Sequence, residues 1–552
     1  MKKIVILSTG LLFSISIIAQ HSPEWLKKAV FYQIYPSSFQ DSNGDGIGDL
    51  AGIQSRLDYV QSIGVNTIWL NPVFKSAFKD GGYDVIDFYQ VDPRFGSNTK
   101  LVELAQAAHT KGMRIVLDLV AGHTSNESPW FQQSMQADKN LQYSDYYIWA
   151  PKKPVDLSEQ EASRWVASTA ARDKFYIKNF FDIQPALNYG YANPNPNHPW
   201  EQSVTAPGPQ AVRRELENII SFWMEKGIDG FRVDLASSLV KNDPDKKATI
   251  ALWKELNSWF HQKFPSGVLI AEWFNPKQSI EAGFDIDFVR PAGNLTAAFE
   301  RGKKTNAKVY FDTEGKGNIG SWNRYFEDQY NSTLHKGYLS LPTGNHDSPR
   351  MCNEERKDPS SLKVLMTFLL TQPGVPFIYY GDEIGMRYIP NSPDVEGSGP
   401  RAGSRTPMQW DDSKNAGFST ASANHLYIPL DTLANRPSVT AQEKNPNSLL
   451  QLVKDILKLR QSSAALGNDG GWAMLSDTST SYPMIYLRSN STEKYVIAIN
   501  PTDKKSETNI PAQNPVNLKN IFTTGEKSIY TKGKVSDKIV LPALSAAIFK
   551  IE

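Results

Sequence analysis

The chain has 552 residues, a formal net charge of +1 and one cysteine, Cys352. That length allows several domains and a large core. The near-neutral balance gives no electrostatic case for nucleic acid or an anionic membrane as partner, and a single cysteine excludes an intramolecular disulfide framework. Aromatic residues make up 11%, with 13 Trp and 23 Tyr, a content that suits stacking on flat polar ligands as well as core packing.

The first segment is MKKIVILSTGLLFSISIIAQ. Lys2 and Lys3 precede a short apolar run, and Ala19 supplies a small residue before Gln20, so residues 1–19 read as a secretory signal. The run is short for a membrane span, and no Cys follows it to carry lipid. The expectation is an exported protein, periplasmic or secreted, with no span left after signal removal.

AVFYQIY, from Ala29, reads as a strand and runs into DSNGDGIGD, Asp41 to Asp49. Oxygen-bearing side chains alternate there with glycines, the start of an EF-hand pattern. The twelfth position, where an EF-hand places a bidentate Glu, is Gly52, and a strand rather than a helix precedes the loop. The EF-hand is therefore rejected and a calcium-binding loop is kept, against the plainer alternative of a solvated Gly/Asp turn.

Further strand-like runs follow in order: VNTIWL from Val65, RIVLDLV from Arg114, GFRVD from Gly230, VLIAE from Val268, FDIDFV from Phe284, GYLSLPTGNHD from Gly337 and VPFIYYGDE from Val375. Amphipathic segments such as IQSRLDYVQSIG and LVELAQAAHTKG lie between them and stop at glycine. Strands alternating with helices imply parallel βα units, and about eight of them predict a closed (β/α)8 TIM barrel. The rhythm breaks over residues 123–203, rich in Pro, Asn, Tyr and Trp and too long for a loop, so an inserted domain is expected there. The barrel then comprises residues 20–122 and 204–462. Strand-like MIYLRS, YVIAIN and ALSAAIFKIE place a C-terminal antiparallel β-sandwich at 463–552.

In such a barrel the reacting groups sit at the C-terminal strand ends. Those ends carry Tyr83 and Asp84 after the second strand, Asp118 and His123 at the third, Arg232 and Asp234 at the fourth, Glu272 at the fifth, and His346 with Asp347 at the seventh. Several carboxylates with neither a catalytic Cys nor a Ser/His pair suggest glycosidic bond chemistry. No H-x-x-x-H or H-x-H spacing occurs among them, which argues against a zinc site.

DLVAGHTS, GFRVDLASS, IAEWF and TGNHDSPR resemble, in order and spacing, the four signature regions of the α-amylase family of glycoside hydrolases (family 13). GGYDV, QPALN, GVPFIYYGDEIGM and SRTPMQWD extend the resemblance from about Val30 to Trp410. QPALN and RTPMQW look most like the group holding oligo-1,6-glucosidases, α-glucosidases and trehalose synthases. The resemblance implies that Asp234 is the nucleophile of a covalent glycosyl-enzyme, Glu272 the acid and then base, and Asp347 a binder of sugar hydroxyls. It implies that Asp84, Tyr83, His123, Arg232, His346 and Arg405 shape the sugar pocket, with an Arg405–Asp84 pair as its wall. It also implies a structural calcium held by Asp41, Asn43, Asp45, the Ile47 carbonyl and Asp49. The residues agree with these roles: Arg232 shares a strand face with Asp234 and favours its ionised form, and apolar VLIAEWF is expected to keep Glu272 protonated.

The sequence departs from the family pattern at Gly122, where Asn is usual before the His, and at Ala186, where an acid is usual. Leu235 fits neither pattern tied to α-1,4 or α-1,6 preference. The function expected is a retaining, exo-acting α-glucosidase on α-linked gluco-oligosaccharides or α-glucan. The competing readings are an endo-acting α-amylase, a transglucosylase or isomerase of the trehalose synthase type, and a catalytically dead sugar-binding member. The last is disfavoured because all three carboxylates are present.

Overall fold

The computed structural model describes residues 22–155, 157–289, 309–353, 356, 358–476, 482–511, 517–533 and 536–552; the expected signal at 1–19 lies outside them. Eight strands form one parallel sheet: β1 Phe31–Ile34, β2 Thr67–Leu70, β3 Arg114–Leu119, β4 Gly230–Val233, β5 Val268–Ala271, β6 Ile286–Phe288, β7 Tyr338–Ser340 and β8 Phe377–Tyr379. They neighbour one another in chain order, and β8 pairs with β1 through Phe31↔Phe377. Closure between β7 and β8 rests on the parallel bridge Pro342↔Phe377 and on Val375 N–H donating to the Leu339 carbonyl at 3.0 Å. All eight coincide with the strand-like runs read from the sequence.

Both faces of these strands are buried, which is why they read as near-continuous apolar runs. One parity fills the barrel interior. Phe31, Trp69, Val116, Val268, Ile270, Phe288 and Phe377 form one packed cluster, in which Phe31 stacks on Phe377 with ring centroids 4.3 Å apart. The other parity, Tyr32, Ile68, Leu117, Phe231 and Leu269, packs outward against the helical ring. Because side chains alternate along a strand, the residue two positions past an interior apolar residue points up the same axis toward the C-terminal mouth. That parity sets the site.

An antiparallel pair, Phe74–Ser76 with Val85–Val91, follows β2 and was not expected from the sequence. Between β3 and β4 lie short helices, a three-stranded antiparallel sheet of Trp149–Ala150, Phe175–Ile177 and Trp165–Ala167, and then the long helix Pro207–Met224. Beyond the helix Leu449–Ser462, a five-stranded and a three-stranded sheet enclose Ile485, Val496, Ile539, Leu541 and Phe549, the packing of a sandwich. Among the described residues no helix is long and apolar enough to cross a membrane.

Candidate active site

Above the apolar interior layer the same parity brings up polar residues: Gln33 after Phe31, Asn71 after Trp69, Asp118 after Val116, Glu272 after Ile270, and Arg232 followed by Asp234. Arg232 is the hub. Its Nη1 lies 2.8 Å from Asp118 Oδ1 and 2.9 Å from Asp234 Oδ1, and its Nη2 lies 2.8 Å from Glu272 Oε1. Three carboxylates thus share one buried guanidinium. Burial, followed by the Glu272 charge, pushes Asp234 well above the usual carboxylate range, and Arg232 pulls it back only in part. Burial likewise raises Asp118 to about 6 against the pull of Arg232. Crowded carboxylates served by a single cation retain a proton among them.

Glu272 was expected to lie against apolar neighbours. Its carboxylate instead meets Arg232, and its Oε2 accepts the Leu235 N–H at 2.9 Å. Leu235 supplies that N–H from a left-handed conformation, φ 44° and ψ 38°, a strained setting for a side chain of this size. The Glu272 carboxylate is therefore met by a cation and a backbone N–H rather than by the apolar flank read from the sequence.

Asp347 faces the cleft with 37% of its side chain exposed. Its Oδ1 lies 3.2 Å from both Arg401 Nη1 and Arg405 Nη2, and its Oδ2 lies 3.2 Å from His346 Nε2. Burial would raise it, but the charges of Arg405, Arg401 and Arg232 outweigh burial and hold it ionised, well below the usual range. His346 is neutral, lowered by burial to about 3. Its Nδ1 faces the amide donors of Gln33 at 2.9 Å and Asn71 at 3.2 Å, so the ring proton sits on Nε2, 2.8 Å from the Tyr83 hydroxyl. Tyr83 stacks on that imidazole at 5.2 Å and donates to Asp118 Oδ2 at 2.9 Å.

Two pocket residues lie elsewhere than expected. Asp84 is fully buried, and its carboxylate accepts the Ser76 hydroxyl and the Lys79 and Asp80 N–H groups. Arg405, also fully buried, donates to the His346 carbonyl, Ser398 and Tyr35 as well as to Asp347. The expected Arg405–Asp84 pair is therefore absent. The turn of left-handed Gly81 and Gly82 folds Asp84 back into its own loop and presents Asp80 instead, whose Oδ1 pairs with Arg401 Nη2 at 2.9 Å. Arg401 and Asp80 went unread in the sequence; the available signal was the first arginine in PRAGSR, four residues before Arg405. Gln33 and Asn71 were missed as well, although their strand parity marks them.

His123 spends both ring nitrogens on the protein. Nε2 lies 2.9 Å from the Tyr83 carbonyl and must donate to it, and Nδ1 lies 3.1 Å from Asn179 Nδ2. Burial lowers the ring to about 4, so it is neutral. Gly122 beside it leaves room for Asn179: a Cβ there would sit 2.6 Å from that amide nitrogen.

The Asp41–Asp49 loop has the donor chemistry of a hard cation site, but its carboxylates do not converge. Asp41 accepts the Asn43, Gly44 and Gly46 N–H groups and the Ser419 hydroxyl. Asp49 accepts Ser42 and caps the helix Leu50–Ser55 through the Gly52 N–H. Asn43 and Asp45 each accept the N–H two residues on. Among the described residues no three acidic, imidazole or thiol groups gather closely enough to hold a metal.

The family model for the alpha-amylase catalytic domain matches residues 33–469. An oligo-1,6-glucosidase of Parageobacillus thermoglucosidasius is 31% identical over 88% of this chain and 92% of its own. A trehalose synthase/amylase of Mycobacterium tuberculosis is 33% identical over 80% and 76%. Among solved structures, an isomaltulose synthase mutant from Erwinia rhapontici NX5 in complex with D-glucose superposes with a TM-score of 0.80 at 26% identity, covering 96% of this chain and 99% of that one. With a barrel mouth built on three carboxylates around Arg232, and with a match of this extent, the chain belongs to the α-amylase family and is a glycoside hydrolase.

Proposed function

We propose that this enzyme is a retaining α-glucosidase that removes glucose from the non-reducing end of α-linked gluco-oligosaccharides. In the first step Asp234 attacks the anomeric carbon, the glycosidic C–O bond breaks, and Glu272 gives its proton to the departing oxygen. In the second, Glu272 takes a proton from water, the water oxygen bonds to the anomeric carbon and Asp234 is released. What supports this division of labour is position: Asp234 and Glu272 sit on the two terminal nitrogens of one guanidinium at the barrel mouth, where one carboxyl can attack while the other meets the departing oxygen. Retention needs the two carboxyl groups about 5–5.5 Å apart. Asp347, ionised beside Arg401 and Arg405, would bind sugar hydroxyls and favour the oxocarbenium-like state.

The observation that carries the exo reading is the Asp80–Arg401–Asp347 chain of ion pairs. It links the loop after β2, the loop after β7 and the segment before RTPMQW across one side of the carboxylates. A pocket walled in this way admits one terminal sugar, and its polar groups reject a chain that would leave them unpaired. The test is the product series from maltoheptaose and soluble starch at low conversion, with the anomer followed by NMR. Early α-glucose is expected; maltotriose and longer fragments ahead of glucose would mean an open cleft and an α-amylase.

A second reading, transfer or isomerisation by the same covalent intermediate, is supported by the trehalose synthase relative and the isomaltulose synthase neighbour. Incubation with maltose and with sucrose separates the two: a disaccharide isomer formed ahead of glucose would favour it. We further propose that the Asp41–Asp49 loop binds calcium structurally, supported by its alternating oxygen donors, and that the N-terminal segment directs export.

A further inference from the structure

Asp287 is the middle residue of β6, fully buried. Its register partner on β5 is Ala271, of the outward parity, so Asp287 lies behind the sheet and cannot reach the mouth. Yet its carboxylate accepts five hydrogen bonds. Oδ1 takes the N–H groups of Trp273 at 3.1 Å, Phe274 at 3.2 Å and Phe288 at 2.8 Å. Oδ2 takes the Asn275 N–H and the Ser279 hydroxyl, both at 2.9 Å. Three of these donors are the consecutive residues that follow Glu272.

Their position explains why they need a partner. The Glu272 N–H makes a β-type bond, to the Val233 carbonyl at 3.0 Å. Beyond Glu272 the chain turns sharply, with Phe274 at φ 60°, before the short helix Pro276–Glu281 capped by Asn275. Buried N–H groups left unpaired in such a turn are costly. Asp287 pairs all three and so fixes the direction in which the chain leaves Glu272.

We propose that Asp287 is a positioning residue for Glu272, holding its strand end through three consecutive backbone N–H groups so that the Glu272 carboxyl stays aimed at the scissile oxygen. This rests on the acid/base role of Glu272 given above. Proton donation depends on geometry, and a misplacement of about 1 Å can cost on the order of 10²-fold. A residue that acts only through the acid affects only reactions that need the acid.

The test compares kcat/KM, which reports the first, bond-breaking step, on maltose and on α-glucosyl fluoride. Maltose loses a sugar alkoxide that must be protonated; fluoride needs far less help. Asp287→Asn keeps the shape but turns an N–H2 toward the Asn275 N–H and the Ser279 hydroxyl. We expect kcat/KM on maltose to fall about 10²-fold and that on α-glucosyl fluoride to change less than about threefold, a change worth under ~1 kcal/mol. If Asp287→Asn yields no folded protein, Ser279→Ala withdraws one donor from the same carboxylate and should show the same selectivity at a few-fold loss. Equal losses on both substrates, or none on either, would overturn the inference. Glu272→Gln is the control. If it too fails to discriminate, the acid role of Glu272 is wrong; if it discriminates and the Asp287 and Ser279 variants do not, only the positioning role is wrong.

Discussion

Replacing Arg401 with Gln tests the wall of the proposed pocket. The side chain is 20% exposed and holds Asp80, 5% exposed, at 2.9 Å and Asp347 at 3.2 Å. Burial raises Asp80, and Arg401 is the largest opposing influence, followed by the hydrogen bond from Gln184. Without Arg401, Asp80 keeps one neutral donor, Gln184 Nε2 at 2.8 Å. A hydrogen bond to a charged group contributes about 1.5–3 kcal/mol, so kcat/KM on maltose should fall roughly 10- to 10²-fold. Asp347 retains Arg405 and His346, so turnover should survive in part. The assay is a double-mutant cycle on maltose with Asp80→Asn, Arg401→Gln and the double variant, alongside maltoheptaose products at low conversion. Coupling of about 1–3 kcal/mol between the two sites and a rise in longer products are expected. Additive single effects, with the product pattern unchanged, would show that the pair is a surface contact and not a wall.

Asp234→Asn, Glu272→Gln and Asp347→Asn should each lower kcat by several orders of magnitude with circular dichroism unchanged; near wild-type turnover by any of them would remove that residue's role. Chelator should lower the melting temperature before it lowers activity, and calcium should restore it better than magnesium, because an ion bound only by the folded state stabilises it; an unchanged melting temperature with no metal by elemental analysis would leave Asp41 and Asp49 as turn formers. Glu383 accepts the Tyr32 and Tyr59 hydroxyls on Oε1, has no hydrogen-bond partner on Oε2 among the described residues, and is raised by burial from 4.5 to about 7. A carboxyl raised on folding contributes stability that is complete below about 4.5 and lost as pH rises through about 7, a change of about 3 kcal/mol. Glu383→Gln should flatten the melting temperature across that window, and parallel pH curves for the two proteins would refute it.

What could be read in the sequence followed from periodicity. The eight barrel strands are runs buried on both faces, so apolar and β-branched residues mark them even where, as in FDIDFV, three residues suffice. The same parity lifts Asp118, Arg232 and Glu272 to the mouth. Loops have no such rule. The pair Phe74–Ser76 and Val85–Val91 carries two irregularities in register, which break the alternation that would have shown it. Asp80 and Asp84 are equally plausible as wall residues on paper; two glycines with positive φ between them decide which one faces Arg401.

Gly122 follows from the same argument carried one step further. Against the family pattern it looks like a lost amide beside His123. The structure has an amide there, but it comes from Asn179 in the stretch between β3 and β4, which donates to His123 Nδ1 and accepts the Ser238 hydroxyl at 3.4 Å. A side chain at 122 and Asn179 in its present place exclude each other, because the Cβ would lie 2.6 Å from the amide nitrogen. Ala186 belongs to the same arrangement: it bridges His123 in an antiparallel pair, and the Leu187 N–H donates to the Gly122 carbonyl at 3.0 Å. Two departures that look independent along the chain are thus one local solution, in which a small residue at 122 lets the strand end at His123 pack directly on QPALN.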